Sequence, residues 1–479
     1  MESPKRTLNL FDTVMLVSGS MIGSGIFIVS ADMSRSLGSP FWLLMAWILS
    51  GFITLLAALS YGELAGMMPE AGGQFVYLKR AFGRLTAFTY GWTVFTVIQT
   101  GVIAAVAVAF AKFTGVFFPI FNEKNSLFSI GSFSISYAQL LAIVSIYFLT
   151  WSNAQGIKNG KLVQRIFTSA KLIALFGLII LGIYFGINGN VFSENFSNPY
   201  NAFSTTFKEG VLSVHPLAGM ALFSALGVAM IGSLFSSDAW NNVTFIAGEV
   251  KEPHKNIPLG LFIGTAIVTV IYILANLAYL MVLPVKGDPL SSDVLGQGLM
   301  FAQNDRVGTA ALYVMFGDVS KYLMAALIMV STFGCNNGLI LAGSRLFQSM
   351  ANDGLFFKRA AILNKALVPG KALYLQALWA SVLCLSGSYG DLLDYATFAS
   401  LVFYIITISG LFILRKKEPD TPRPYKAFGY PYIPALYVFL AGIICIDLLF
   451  VKTFNTGMGV LMILLGTLVY RLFKPLKHN

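Results

Sequence analysis

Long apolar runs constrain this chain more than any other feature in it. They lie near 10–35, 41–67, 85–117, 136–152, 158–186, 217–246, 258–283, 319–349, 373–388, 392–414, 431–451 and 456–473. A helix needs about 20 mainly apolar residues to cross the hydrocarbon core of a bilayer. Most of these runs reach that length, while 373–388 is short. Charged residues make up 11% of the chain, whereas soluble domains carry about 25%. Mean hydropathy is +0.74. The reading is an all-α polytopic membrane protein with twelve transmembrane helices.

Lysine and arginine set the orientation. If the N-terminus is cytoplasmic, the inner connections hold Lys79, Arg80 and Arg84, then Lys158, Lys161 and Arg165. They also hold Lys358, Arg359, Lys365 and Lys371, and then Arg415, Lys416 and Lys417. Lys5, Lys474 and Lys477 fall at the two inner termini. The outer connections hold only the scattered Arg35, Lys124, Lys208, Lys286, Arg306 and Lys452. Cytoplasmic loops carry the excess of basic residues, so both termini are placed inside, in a plasma (inner) membrane. The net charge of +11 is then a topology signal, and no nucleic acid partner is expected. No removable signal peptide is expected either, because the short charged start leads into a full apolar run.

The residues for other chemistry are missing. Cys335, Cys384 and Cys445 sit inside apolar runs without metal spacing, and His215, His254 and His478 are scattered. No metal, cofactor or disulfide framework is expected. Paired acids or a nucleophile–base pair, which an enzyme would need, do not stand out. A repeated filter or charged ring, which a channel would need, is not found.

Two of the runs are interrupted. The first carries Met21-Ile22-Gly23-Ser24-Gly25-Ile26-Phe27 at its centre. Glycine favours unwinding, and unwound backbone at membrane depth is tolerated only against protein or a water-filled cavity. The sixth run carries Phe235-Ser236-Ser237-Asp238-Ala239-Trp240-Asn241-Asn242, where serine and aspartate compete with the helical backbone for hydrogen bonds. Paired interruptions in corresponding spans of two halves point to a secondary transporter's site. Five spans separate them, so the two halves are inverted. Half-helix N-termini present free N–H groups to a carboxylate, and half-helix C-termini present carbonyls to an ammonium. Two opposed breaks can therefore hold a zwitterion. Taken alone, Gly-Ser-Gly also fits a close-packed helix seam.

Taken in order, the motifs resemble the amino acid–polyamine–organocation superfamily, and within it the L-amino-acid transporter branch. The resemblance rests on the 21–27 and 235–241 stretches, Gly72-Gly73-Gln74-Phe75-Val76-Tyr77-Leu78, and Glu249 to Pro253 with Asn256-Ile257-Pro258. Ser344-Arg345 with Asp353-Gly354, and Arg423-Pro424-Tyr425 with Gly429-Tyr430-Pro431, complete it. The resemblance implies one transporter domain over 1–479. Its first repeat covers about 10–186, its second about 217–414, and its extra helices about 431–473. It implies discontinuous helices one and six around a site reached by alternating access. By that resemblance the substrate carboxylate meets Ser24 and Gly25, with Gly23 in the unwound turn. The ammonium meets carbonyls around Met21, Ile22, Phe235 and Ser236, and Phe235 gates the site from outside. Lys171, in the fifth run, matches a lysine that stands where sodium sits in sodium-driven relatives, so sodium-independent transport is implied.

Some readings stay open at this level. Asp238 either faces the side-chain pocket, favouring cationic substrates, or caps the second half-helix. Ser400 and Tyr404 either line the pocket or serve helix packing. Lys171 lies deep in its helix or snorkels to the surface, depending on where that helix begins. Heteromeric members of this branch carry a cysteine in the outer loop after span three, bonded to a glycoprotein subunit. The corresponding loop here, about 118–135, has none, so no disulfide-linked heavy subunit is expected. The expected activity is sodium-independent exchange of L-amino acids across the bilayer. The alternatives are a proton-coupled amino acid permease and an amino-acid-sensing receptor that does not transport.

Overall fold

The computed structural model describes residues 6–122, 125–130, 133–385 and 389–472. Lys5, Lys124, Lys474, Lys477 and His478, used above, lie outside the described residues.

Each apolar run is helical over most of its length, and the interrupted ones break where the sequence pointed. The first run gives α1 (Leu10–Met21) and α2 (Val29–Leu37), with a single 3-10 turn, Gly25–Phe27, between them. Asn9 and Asp12 start α1 with a reciprocal capping box, each side chain accepting from the other's amide at 2.9 and 3.0 Å. Next come α3 (Pro40–Met67) and the short amphipathic α4 (Gln74–Phe82). The third run is α5 (Arg84–Thr93) and α6 (Gln99–Thr114), joined through a π turn at Val94–Ile98. Two long helices follow, α7 (Tyr137–Ala154) and α8 (Ile157–Ile187), then the one-turn α9 (Val191–Asn195).

The second half opens with α10 (Gly219–Ser236), which gives way to 3-10 turns at Trp240–Glu249. Then come α11 (Pro253–Val282), the short α12 (Val294–Gln297), α13 (Val307–Phe316) and α14 (Val319–Asn352). The chain ends in α15 (Gly370–Leu385), α16 (Tyr389–Lys417), α17 (Tyr432–Val451) and α18 (Thr453–Leu472).

Among the described residues, eight helical stretches are long and apolar enough to cross a membrane. The shorter apolar helices are Leu10–Met21, Val307–Phe316, Gly370–Leu385 and Thr456–Arg471. The first of these is short because the break cuts it. The chain is an integral, multi-pass membrane protein. Two small hairpins in the connections were not anticipated: β1 (Ser126–Ile130) with β2 (Phe133–Ser136), and β3 (Phe203–Lys208) with β4 (Val211–Pro216). The second closes over Glu209 and Gly210, both at positive φ, as a two-residue hairpin turn demands.

The packing places the first break at the centre. α1 contacts α8, α11, α14 and the Trp240–Glu249 segment. At its start, the amides of Thr7 and Leu8 both donate to the Glu249 carbonyl, at 2.9 and 3.0 Å. The same end is fixed by Asp12, buried between Lys161 and Arg165 of α8 at 2.6 Å each. Glu63, completely buried on α3, accepts from Arg415 at 2.6 and 2.9 Å and from the Ala427 amide at 2.7 Å, and pairs with Arg423 at 3.1 Å. Both acids are held in structural ion pairs.

Candidate substrate site

The site begins where α1 stops. Ile22 turns to an extended conformation at φ −77° and ψ 97°. The carbonyls at and beyond the helix end then need partners from elsewhere. Cys335 donates to the Ser20 carbonyl at 3.0 Å, and Ser331 lies 3.2 and 3.0 Å from those of Ile22 and Gly23. The Gly25–Phe27 turn leaves its own first N–H groups without partners inside the turn, and these belong to the Ser24–Gly25 stretch.

The second break faces the first. α10 ends at Ser236, and Ala239 takes a left-handed conformation at φ 64° before the 3-10 turns begin. A Cβ added to Gly25 would sit 2.2 Å from the Ser236 hydroxyl and 2.9 Å from its Cβ. Glycine is therefore required for the two breaks to touch. Tyr272 of α11 bridges them, its hydroxyl 3.2 Å from the Met21 carbonyl and 3.0 Å from that of Ser236.

Between the breaks lies a narrow cavity of about 40 Å³. On this measure one water needs roughly 10–15 Å³, so an amino acid requires the walls to part. Met21, Gly23, Ser24, Gly25, Phe235, Ser236, Asp238 and Ser400 all line it. Ile22 and Lys171 do not, and lie behind the break. Gln74, Tyr90, Gln99, Asn241, Asn242, Cys335 and Tyr404 complete most of the polar wall.

Asp238, Tyr404, Asn241 and Gln74 of that wall form one connected network. The Tyr404 hydroxyl lies 2.5 Å from an Asp238 carboxylate oxygen and 3.2 Å from the Asn241 side-chain oxygen. Asn241 donates to Gln74 at 2.9 Å, and Gln74 donates to Thr407 at 3.0 Å. The start of the 3-10 turns has no side-chain capping bond. Asp238 accepts from Tyr404 of α16, and its carboxylate also meets Ser400 and the adjacent Ala239 amide.

Lys171 is fully buried on α8. The helix starts at Ile157, so the lysine stands 14 residues in, roughly 21 Å along the axis. It does not snorkel. Its Nζ donates to the carbonyls of Gly19 and Ile22 at 2.7 Å each, and to that of Ser331 at 3.2 Å. A single ammonium thus fastens the end of α1 to α14.

Sequence reasoning missed Tyr272, Ser331 and Cys335 as partners of the break. Each lies in a long helix, Ser331 beside Thr332 and Cys335 beside Asn336 and Asn337, with nothing local to mark which polar group meets the break. Gln74 and Asn241 sat inside quoted motifs but were given no role.

The comparisons decide the family. A family model described as amino acid permease matches residues 8–470. The chain belongs to the amino acid permease family. It is a member of the amino acid–polyamine–organocation superfamily, in the L-amino-acid transporter branch. It is 29% identical over 482 aligned positions to the large neutral amino acids transporter small subunit 2 of Homo sapiens, covering 99% of this chain and 82% of that protein. It is 28% identical over 478 positions to the b(0,+)-type amino acid transporter 1 of Mus musculus, covering 98% and 88%. Both relatives carry the names of transporters, not of enzymes.

Proposed function

We propose that this permease exchanges L-amino acids across the membrane without sodium, by alternating access around the two broken helices. In this reading all twelve apolar runs span the bilayer as an inverted five-plus-five repeat with two added helices. Both termini face the cytoplasm of a plasma (inner) membrane. The observation that carries it is the cavity walled by both breaks, with Ser24 and Gly25 presenting the N-terminal end of a turn and Ser236 the C-terminal end of α10. A carboxylate suits the first and an ammonium the second. The Met21 and Ser236 carbonyls are the nearest acceptors for the ammonium, after displacement of the Tyr272 hydroxyl. The Ile22 carbonyl already serves Lys171. Phe235 closes the cavity on the outer side.

The Lys171 ammonium supports sodium independence. It supplies at the Gly19 and Ile22 carbonyls the fixed charge that a bound cation would bring. Asp238 and Tyr404 form the side-chain end of the pocket, which suits a substrate carrying a donor. Although one relative is named as a small subunit, we propose that this chain works without a disulfide-linked partner. Its three cysteines are all buried, and none falls in 118–135. A disulfide there would need a thiol within reach.

The test is uptake of a panel of labelled amino acids into proteoliposomes, without sodium or a proton gradient. Uptake that requires unlabelled amino acid inside the vesicles supports exchange and names the substrate. Uptake into empty vesicles that needs a proton or sodium gradient would overturn it. Binding without any uptake would favour a receptor.

A further inference from the structure

A large cavity lies away from the substrate site, where α7 ends and α15 begins. Its volume is about 810 Å³. Ala154 at the end of α7, the 357–364 connection and the first turn of α15 form its walls. Asn364 closes it from behind, donating to the Ala154 carbonyl at 2.7 Å and accepting from the amides of Ala366 and Val368.

Three cations line this space: Lys358, Arg359 and Lys371. All three are exposed. Among the described residues none of them makes an ion pair or a side-chain hydrogen bond, and no acid lines the cavity. Two basic residues on the same side behave differently. Lys79 pairs with Asp353 and Arg80 with Glu418, both at 2.6 Å. An unpaired, concave cluster of three cations is complementary to an anion of more than one charge-bearing oxygen.

The second observation is apolar. From this cavity α15 runs away with Tyr374, Leu378 and Val382 exposed on successive turns, at 44, 55 and 47%. α7 packs beside α15 and reaches the cavity by its last residue. It exposes Val144, Phe148 and Trp151 on its own final turns. Two exposed apolar stripes therefore end at one cation cluster. In a membrane-spanning helix pair such stripes face acyl chains, and the cluster lies at the level of the headgroups. Basic pockets between helices on that side suit anionic headgroups.

We propose that the Lys358–Arg359–Lys371 cavity binds an anionic phospholipid, its phosphate held by the three cations and its chains laid along the α7 and α15 stripes. The bound lipid cements the 353–370 connection to the end of α7. The site is separate from substrate recognition and does not depend on the transport reading.

The test is native mass spectrometry of the full-length purified protein with added phosphatidylglycerol, phosphatidylcholine or glycerol phosphate. Each cation near a membrane surface contributes about fivefold to anionic lipid affinity. The wild type is expected to retain phosphatidylglycerol at least tenfold more tightly than phosphatidylcholine. The K358Q/R359Q/K371Q variant is expected to lose that preference while keeping its thermal midpoint and its uptake in phosphatidylcholine vesicles. A K79Q/R80Q variant, removing paired cations on the same side, is expected to keep the preference. Equal retention of both lipids by the wild type would overturn the proposal, as would an unchanged preference in the triple variant. Glycerol phosphate competing as well as the lipid would also overturn it, because the chains would then contribute nothing.

Discussion

Replacing Lys171 by methionine tests the centre of the proposed mechanism. The substitution keeps an unbranched side chain one atom shorter and removes the ammonium. Two terms oppose each other. The two 2.7 Å bonds to Gly19 and Ile22 are charge-assisted, worth about 1.5–3 kcal/mol each. Against them stands the burial of an ammonium whose three partners among the described residues are all neutral carbonyls, which costs several kcal/mol. The sum is small, so folded stability should change by less than about 2 kcal/mol. Transport should respond differently. Ile22 keeps Ser331 at 3.2 Å, but Gly19 loses its 2.7 Å partner in the interior. An orphaned buried carbonyl costs about 1–3 kcal/mol, and the unwound segment can relieve that cost by moving. A shift of that size lowers the population of the competent arrangement roughly 5- to 150-fold. The expected result is a thermal midpoint in detergent within a few degrees of wild type, with sodium-free exchange in proteoliposomes down at least about fivefold. Exchange within twofold of wild type would refute the argument, because the ammonium would then not be holding the break in its working shape.

Further outcomes follow from individual contacts. Gly25→Ala drives a methyl group into Ser236 at 2.2 Å, whereas Gly101→Ala meets nothing within 4 Å. Overpacking costs about 1–3 kcal/mol, so uptake should fall at least tenfold in the first variant and stay unchanged in the second. Glu63→Gln leaves Arg415 and Arg423 short of a buried partner, and breaking such a pair costs about 3–5 kcal/mol; thermal unfolding should show a large drop in midpoint. Tyr404→Phe removes the 2.5 Å donor to Asp238, and competition assays should show altered ranking of cationic against neutral amino acids with the fold intact. The Arg80 guanidinium beside Glu418 holds that carboxyl below the usual glutamate value of 4.5. A lowered folded-state value stabilises at neutral pH, and the contribution fades as pH falls below 4.5 and through the lowered value. Unfolding midpoints of wild type and Arg80→Gln should therefore converge in acid and differ slightly at pH 7, by well under about 1 kcal/mol for so exposed a pair.

The sequence made the breaks legible because a break is local. Gly-Ser-Gly and Ser-Ser-Asp weaken the helix through their own backbone and side chains, and both interruptions fall where those residues stand. The partners of the breaks were not legible, because they act across the fold. Tyr272 reaches Met21 over 251 residues, Ser331 reaches Ile22 over 309, and Cys335 reaches Ser20 over 315. Nothing within a helix tells which of its hydroxyls or thiols will meet a free carbonyl. The choice for Asp238 was undecidable for the same reason. Its capping role depends on neighbours in sequence, while its actual partner, Tyr404, lies 166 residues away. The β1–β2 and β3–β4 hairpins were not legible for a different reason: strands of four to six residues within a connection are too short to carry a clear period-two pattern.

Lys171 shows how depth resolves what charge alone leaves open. A lysine near either end of a span can extend its stem toward water. One placed 14 residues into a helix that packs against α1 has no such exit. It must find acceptors inside, and the carbonyls of a regular helix are already bonded along the helix. The interrupted helix offers free carbonyls at that depth and takes the two bonds of 2.7 Å, while the Ser331 carbonyl of the continuous α14 is a longer third at 3.2 Å. The break at Met21–Gly25 and the buried lysine are therefore two halves of one arrangement. The break leaves carbonyls that need donors, and the lysine is a donor that needs carbonyls. If the break moves during transport, those bonds must loosen with it, so the tether between α8 and α1 is where the state of the cavity can be coupled to the rest of the helix bundle.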